Sequence, residues 1–220
     1  MRMKQVIIFD VDGTLVDTNW MHAESWSKTF KKFGVTVAKG QILPLIGTGG
    51  EKITKKFFNP EDVKKYADAA IKYHSENIAG LAENAGVFPK VRELFQELKK
   101  RRKTIILATS ARRVIVGVHV ENMGVGDLVD GIVSSSDVKL TKPDPDLFIA
   151  ALRKANAEAV DAVVVGDTVW DVIAANKAQL RTVAVLTGGN SEEALREAGA
   201  TEVYKDIADL WSHLDGSMLK

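Results

Sequence analysis

Short runs of aliphatic and β-branched residues punctuate this chain, each separated from the next by a segment of helical length. The runs are Val6–Phe9, Thr104–Ala108, Gly131–Ser134, Ala162–Val165 and Thr182–Val185. Continuous apolar runs of this length read as strands covered on both faces. Helical patterns lie between them, at Lys90–Lys100, Arg112–Met123, Asp146–Lys154, Asp171–Ala178 and Glu192–Ala198. Strand alternating with helix predicts an α/β fold, a Rossmann-like parallel sheet with helices on both faces.

One stretch breaks the rhythm. From Thr18 to Gly86 the pattern contains no convincing strand. Met21–Phe33, Gly50–Phe58 and Glu61–Leu81 read as helices, with breaks at Gly34, at Gly47-Thr48-Gly49-Gly50 and at Asn59-Pro60. The expectation is a core of residues 1–17 and 87–220, interrupted by an all-helical domain at 18–86. Asp17-Thr18 and Asn84-Ala85-Gly86 are candidate hinges. Lys28, Lys31, Lys32, Lys64 and Lys65 read as solvated helix faces. Trp20 and Trp26 read as packing between helices.

Composition narrows the picture. At 220 residues the chain fits one large domain or a core with a small insertion. A formal net charge of +1 provides no basic field for nucleic acid. The absence of cysteine removes disulfides, thiolate metal sites and a cysteine nucleophile together. It is compatible with a cytoplasmic setting. The residues Met1 to Gln5 read as entering a strand at once, leaving no room for a signal peptide. No apolar run is long enough to cross a bilayer, so no membrane partner is expected.

The candidate chemistry lies where the strands stop. Val6–Phe9 runs into Asp10-Val11-Asp12-Gly13-Thr14. Charges at the end of a core strand are costly unless they act, and in open α/β sheets that end is where ligands bind. Asp10 and Asp12 therefore read as a metal-assisted catalytic loop, with Asp10 free to act as a nucleophile; capping a turn is the alternative. The second strand ends at Thr109-Ser110, suited to a phosphoryl oxygen or simply to a helix N-cap. Arg112 and Arg113 follow in the first helical turn, where cations are unfavourable, and suggest an anionic partner or solvated surface. Pro143 and Pro145 frame Lys142, which could meet developing negative charge or be an ordinary loop lysine. Asp146 reads as the next N-cap. Val163–Val165 ends in Gly166-Asp167, with Asp171 four residues on, a spacing that can put both carboxylates at the start of one helix. The alternative is an N-cap followed by a solvated residue. With Asp10 and Asp12 the pair could form an all-oxygen cation site, which suits Mg²⁺ better than Zn²⁺.

The combination of DVDGT, the Thr109 strand end, KPDPDLF and GDTVWD resembles the haloacid dehalogenase-like hydrolases, in particular the phosphoglycolate phosphatase and β-phosphoglucomutase group. The resemblance implies a Rossmann-like core with an inserted helical cap. It implies that Asp10 attacks phosphorus and becomes an aspartyl-phosphate, while Asp12 protonates the leaving oxygen and then activates water. Thr109 would bind the phosphoryl group, with Ser110 and Arg112 beside it, and Lys142 would neutralise charge and orient the nucleophile. Asp10, the Asp12 carbonyl and Asp167 would bind Mg²⁺, with Asp171 acting just behind them. Dehalogenases of this kind lack the second aspartate and phosphonatases carry a small residue there, so Asp12 favours phosphate esters. Gln179 stands where similar chains often carry Gly. The expected function is a Mg²⁺-dependent phosphatase for a small phosphorylated metabolite, monomeric or weakly self-associating. A hexose phosphate mutase is the alternative. A mutase must grip a second phosphate; residues 18–86 contain no arginine, only lysines such as Lys52, Lys55 and Lys56. A catalytically silent binding module is the third reading.

Overall fold

The computed structural model describes residues 5–220, so the reading of the first four residues as running straight into a strand falls outside it. The strands are β1 (Val6–Phe9), β2 (Val16–Asp17), β3 (Gly86–Val87), β4 (Thr104–Ala108), β5 (Gly131–Val133), β6 (Ala162–Gly166), β7 (Arg181–Val185) and β8 (Glu202–Tyr204). The helices are α1 (Asn19–Lys32), α2 (Lys39–Ile42), α3 (Gly50–Phe57), α4 (Pro60–Ala82), α5 (Val91–Lys100), α6 (Arg113–Met123), α7 (Asp146–Ala155), α8 (Val169–Lys177), α9 (Glu192–Glu197) and α10 (Ile207–Ser212). Six strands form one parallel sheet in the order β5-β4-β1-β6-β7-β8. The apolar runs became its interior because every residue of β1 is buried, as are Ile105–Ala108 and all of β6. The chain winds outward from β1 in both directions, so β1 marks the point where ligands bind in such sheets.

Alternate residues of each strand feed two cores. Ile7, Phe9, Ile105, Leu107, Val163 and Val165 face one side, with residues of α5, α6 and α10. Val6, Ile8, Ile106, Ala108 and Val164 face the other, with α7 and α8. The 18–86 stretch builds a separate core around Trp26, Phe30, Ile42, Ile53 and Phe58. The Phe30 ring meets Phe57 and Phe58 edge-on, each at 5.1 Å, a favoured aromatic arrangement. Its longest helix, α4, starts where the sequence says it should. Asn59 accepts from the backbone N–H of Glu61 and Asp62, and Pro60 opens the first turn.

Several expectations need correction. β8 was not foreseen: it is a three-residue edge strand, half-buried, with no apolar run. Gly86 belongs to a strand. It pairs with Asp17 in the two-residue antiparallel ribbon β2–β3, so both expected hinges are joined to each other. Trp26 packs as expected, but Trp20 is 60% exposed, on the outer side of the first turn of α1. Asp146 does not cap α7; Pro145 holds the cap position and Asp146 is the first helical residue. Lys28, Lys31, Lys32, Lys64 and Lys65 are exposed, as read from the sequence.

Gln179 follows the end of α8 with φ of 59°. That left-handed conformation is costly for a side chain and free for glycine, which usually occupies this place after a helix. Gln179→Gly should therefore raise stability by about 1 kcal/mol in urea unfolding, with an unchanged m-value. No gain in the urea midpoint would refute the strain.

Candidate active site

Three adjacent strands deliver their chemistry to one place. Asp10 follows β1, Thr109 follows β4 and Asp167 follows β6, and the strand order β4-β1-β6 sets them side by side. Asp10 stays in register because its N–H donates to the Val165 carbonyl at 2.9 Å. The turn after it needs glycine. Gly13 has φ of +81°, and a Cβ there would lie 2.2 Å from Asp167 Oδ2. Thr14 Oγ1 donates to Asp167 Oδ1 at 2.9 Å and lies 3.3 Å from Asp10 Oδ2. Asn19, at the start of α1, donates to Asp167 Oδ2 at 3.1 Å.

Lys142 is fully buried and its ammonium bridges two carboxylates. It donates to Asp10 Oδ1 and, at 2.7 Å, to Asp171 Oδ1. Asp171 is itself held by Thr168, whose hydroxyl donates to Asp171 Oδ2 at 2.6 Å. The expected geometry of the Asp167–Asp171 pair is adjusted here. Thr168 is the N-cap of α8, Asp171 sits in its first turn, and Asp167 precedes the helix. Asp171 is completely buried, which removes the solvated reading.

Asp12 lies at the seam between the sheet and the helical stretch. It accepts from Thr18 Oγ1 at 2.8 Å and from Thr109 Oγ1 at 3.2 Å. Two histidines flank it: His22 Nε2 at 3.0 Å from α1 and His119 Nε2 at 3.5 Å from α6. His22 Nδ1 lies 3.2 Å from His74 Nε2, and His74 stacks on Trp26 at 4.1 Å. Thr109 also accepts from the Ala111 N–H, while the α6 N-cap is Arg112. Above Asp12 opens a cleft of about 680 Å³, lined among others by Trp26, His74, Ser110, Arg112 and Lys139.

Residues 7–185 match the haloacid dehalogenase-like hydrolases. The chain belongs to that family. It is 26% identical over 211 residues to pyrophosphatase PpaX of Oceanobacillus iheyensis, covering 94% of each chain. It is also 26% identical to validoxylamine A 7'-phosphate phosphatase of Streptomyces hygroscopicus subsp. limoneus, covering 98% of this chain and all of the other. Among solved structures, a hydrolase from Pseudomonas syringae superposes with a TM-score of 0.87 at 29% identity, covering 97% of this chain and 99% of that one. Among the described residues of this haloacid dehalogenase-like hydrolase, no helix is long and apolar enough to cross a membrane.

The buried cluster carries unbalanced charge. Asp10, Asp167 and Asp171 are buried and offer oxygens within 4.8 Å of one another, against one ammonium. Burial and the Asp171 charge push the Asp167 carboxyl up to about 7. Burial, with Asp171 and Asp167, raises Asp10 well above the usual carboxylate range, although Lys142 opposes it. Burial works against the Lys142 charge, but Asp10 and Asp171 outweigh it and raise its proton affinity. A divalent cation fits this cluster: the donors are hard oxygens, and a second positive charge is what would relieve both raised carboxylates. Asp171 fits least as a direct ligand: the Lys142 ammonium holds one oxygen and the Thr168 hydroxyl and N–H hold the other, whereas Asp167 meets only the neutral donors Thr14 and Asn19. Burial alone would raise Asp12, but His22 and His119 outweigh it and hold that carboxyl well below the usual range.

Other expected site residues divide cleanly. Ser110 faces the cleft and donates to the Gly47 carbonyl at 2.9 Å. Arg112 lines the cleft and is exposed, whereas Arg113 is bound to Asp137 at 2.8 Å. Lys52 is not free to grip a second phosphate, since Asp144 and two carbonyls hold it. Sequence reasoning missed Thr18, Asn19, His22, His74 and His119. The available signal was modest: three of the chain's four histidines lie on segments read as helical.

The raised Asp167 carboxyl makes stability depend on pH. The folded protein holds its proton up to about 7, whereas an unfolded aspartate releases it near 3.9. In chelator, the stability this group contributes is full below about 4 and is lost as pH rises through about 7. The melting temperature in chelator should fall between about pH 5 and pH 8, and Asp167→Asn should fall less. Mg²⁺ at pH 8 should raise the melting temperature of the parent protein more than that of the variant. Superimposable profiles for the two proteins would contradict the charge balance described.

Proposed function

We propose that this hydrolase is a Mg²⁺-dependent phosphatase acting on a small phosphorylated metabolite, with residues 18–86 as a cap over the cleft. The observation that carries the reading is the Lys142 bridge. A buried ammonium holds the strand-end carboxylate Asp10 beside Asp12 and Thr109. Phosphoryl transfer asks for such parts: a nucleophile fixed in line, positive charge beside it, and a positioned acid and base. Asp10 Oδ attacks phosphorus and forms an aspartyl-phosphate as the ester oxygen leaves. Asp12 gives that oxygen a proton, then takes one from the water that attacks the aspartyl-phosphate. The arriving phosphate raises the proton affinity of Asp12 by like-charge repulsion, opposing the two histidines. Thr109 and Ser110 would turn their hydroxyl protons from Asp12 and the Gly47 carbonyl to the phosphoryl oxygens, and Lys142 keeps Asp10 aimed. Asp10, Asp167 and the Asp12 carbonyl would hold Mg²⁺, which supplies charge neutralisation when bound.

The size of the cleft supports an organic leaving group. A volume of about 680 Å³ lies in the range of sites for drug-sized ligands. Inorganic pyrophosphate would leave most of it empty. A lining that includes Trp26, Ile46, Ile53 and Ile71 together with Arg112 and Lys139 suits an ester with both apolar and polar parts.

Rapid-quench mass spectrometry should find one phosphoryl group on the peptide that contains Asp10. Asp10→Asn should abolish turnover, because an amide is a poor nucleophile. Asp12→Asn should be slowed by about 10²–10⁴-fold. With p-nitrophenyl phosphate, whose leaving group needs little protonation, the Asp12 variant should still accumulate phosphoenzyme. Normal turnover in Asp10→Asn, with no adduct on that peptide in the parent protein, would replace the covalent mechanism by direct attack of water.

A further inference from the structure

Lys52 occupies an electrostatically poor place: the first turn of α3, at the positive end of the helix. Its partners lie across the seam. An ammonium has three protons and no acceptor, and here all its bonds go to one loop of the core. It donates to the Thr141 carbonyl at 2.6 Å, to Asp144 Oδ2 at 2.7 Å and to the Lys142 carbonyl at 3.2 Å. The contact extends to the turn before α3. A Cβ on Gly49 would fall 1.9 Å from Thr141 Oγ1, so that turn rests directly on the loop.

This loop carries the lysine that meets Asp10. Other hydrogen bonds join the same helical stretch to different parts of the core, among them those of Thr18 to Asp12, of Asn19 to Asp167 and of Asn122 to the Ala82 carbonyl. Ser110 Oγ donates to the Gly47 carbonyl and Trp170 Nε1 to the Pro44 carbonyl, each at 2.9 Å. None of these touches the lysine loop. Among the described residues of the 18–86 stretch, Lys52 supplies the hydrogen bonds that reach it. Asp144 has no part in the chemistry set out above, and its other cationic neighbour, Lys177, lies farther away at 3.7 Å.

We propose that Lys52 is a positioning residue, tying the docking of the 18–86 helices on the core to the placement of Lys142 against Asp10. It acts on the backbone. The carbonyl of Lys142 and the one before it are both pinned by a charge that belongs to the other side of the cleft. When the helices lift, the loop loses three charge-assisted bonds together. Lys142 then reaches its carboxylates from a backbone no longer held. Docking would thus assemble the reacting groups as well as cover them. The proposal rests on the phosphatase reading for its kinetic readout only.

The test uses the full chain with Lys52→Met, Lys52→Arg and Asp144→Asn, each checked for folding by circular dichroism. Displacing a reacting group by about 1 Å can cost on the order of 10²-fold in rate. Lys52→Met should lower kcat for p-nitrophenyl phosphate by about 10- to 100-fold with a much smaller change in KM. Lys52→Arg should recover part of the loss, and Asp144→Asn, which keeps the two carbonyl bonds, should lose less. Hydrogen exchange of the peptide spanning residues 139–147 should be faster in Lys52→Met than in the parent protein. Unchanged kcat, or a change in KM alone, would reduce Lys52 to a tether. Unchanged exchange in that peptide would overturn the proposal outright. If the parent protein cleaves no phosphate ester, the phosphatase reading fails, and the exchange comparison still decides the role of Lys52.

Discussion

One ammonium among three buried carboxylates governs this site. Lys142 reaches Asp10 across 132 residues of sequence and Asp171 across 29, and all three side chains are almost wholly removed from solvent. Desolvated charges survive only when paired and hydrogen-bonded. The pairing sets demands on everything nearby. β1 must end at Asp10, Thr168 must hold the far oxygen of Asp171, and Gly13 must leave room for Asp167. Even so, the charge does not balance, and Asp10 and Asp167 hold protons more tightly than free aspartates do. The site is built at a cost in stability that a bound cation would offset.

The sequence makes one part of this legible because burial on both faces of a sheet leaves a simple mark. β1 and β4 span the residues of their apolar runs, and the carboxylates and hydroxyl that stop those runs are the ones that converge. Where burial is partial, the mark fades. β8 is half-buried throughout and carries Glu202 and Tyr204 in place of an apolar run. β2 and β3 are two residues each, too short for any period. Asp146 looked like a cap by residue type, but Pro145 already fixes the backbone there.

Contacts across the seam were illegible for a different reason. The grip of His22 and His119 on Asp12 joins one residue from α1 and one from α6. His119 sits among valines, where a buried histidine leaves no periodic trace. The Lys52–Asp144 pair spans 92 residues and joins a lysine that resembles its exposed neighbours Lys55 and Lys56. Its difference is positional: it points out of a first turn, where a cation lacks local support. That feature is readable in principle, but only once the helix start is fixed to the residue.

The two sides of the seam differ in kind, and the difference suits a site that must admit and release a ligand. Within the core, the reacting groups are held by strand ends and by a buried ion cluster, which resist rearrangement. Across the seam, the contacts include half-exposed hydrogen bonds such as those of Lys52, Ser110 and Trp170. Partly exposed ion pairs contribute about 0–1 kcal/mol each, so such bonds can break and re-form without threatening the fold. Asp12 is gripped from both sides, by Thr18 and His22 from the helical stretch and by Thr109 and His119 from the core. It is also the residue proposed to change protonation twice per turnover. A carboxylate whose partners come from the core and from the proposed cap has an environment that changes when the two part. A group that must first give and then take a proton needs that freedom, and a strand end alone could not supply it.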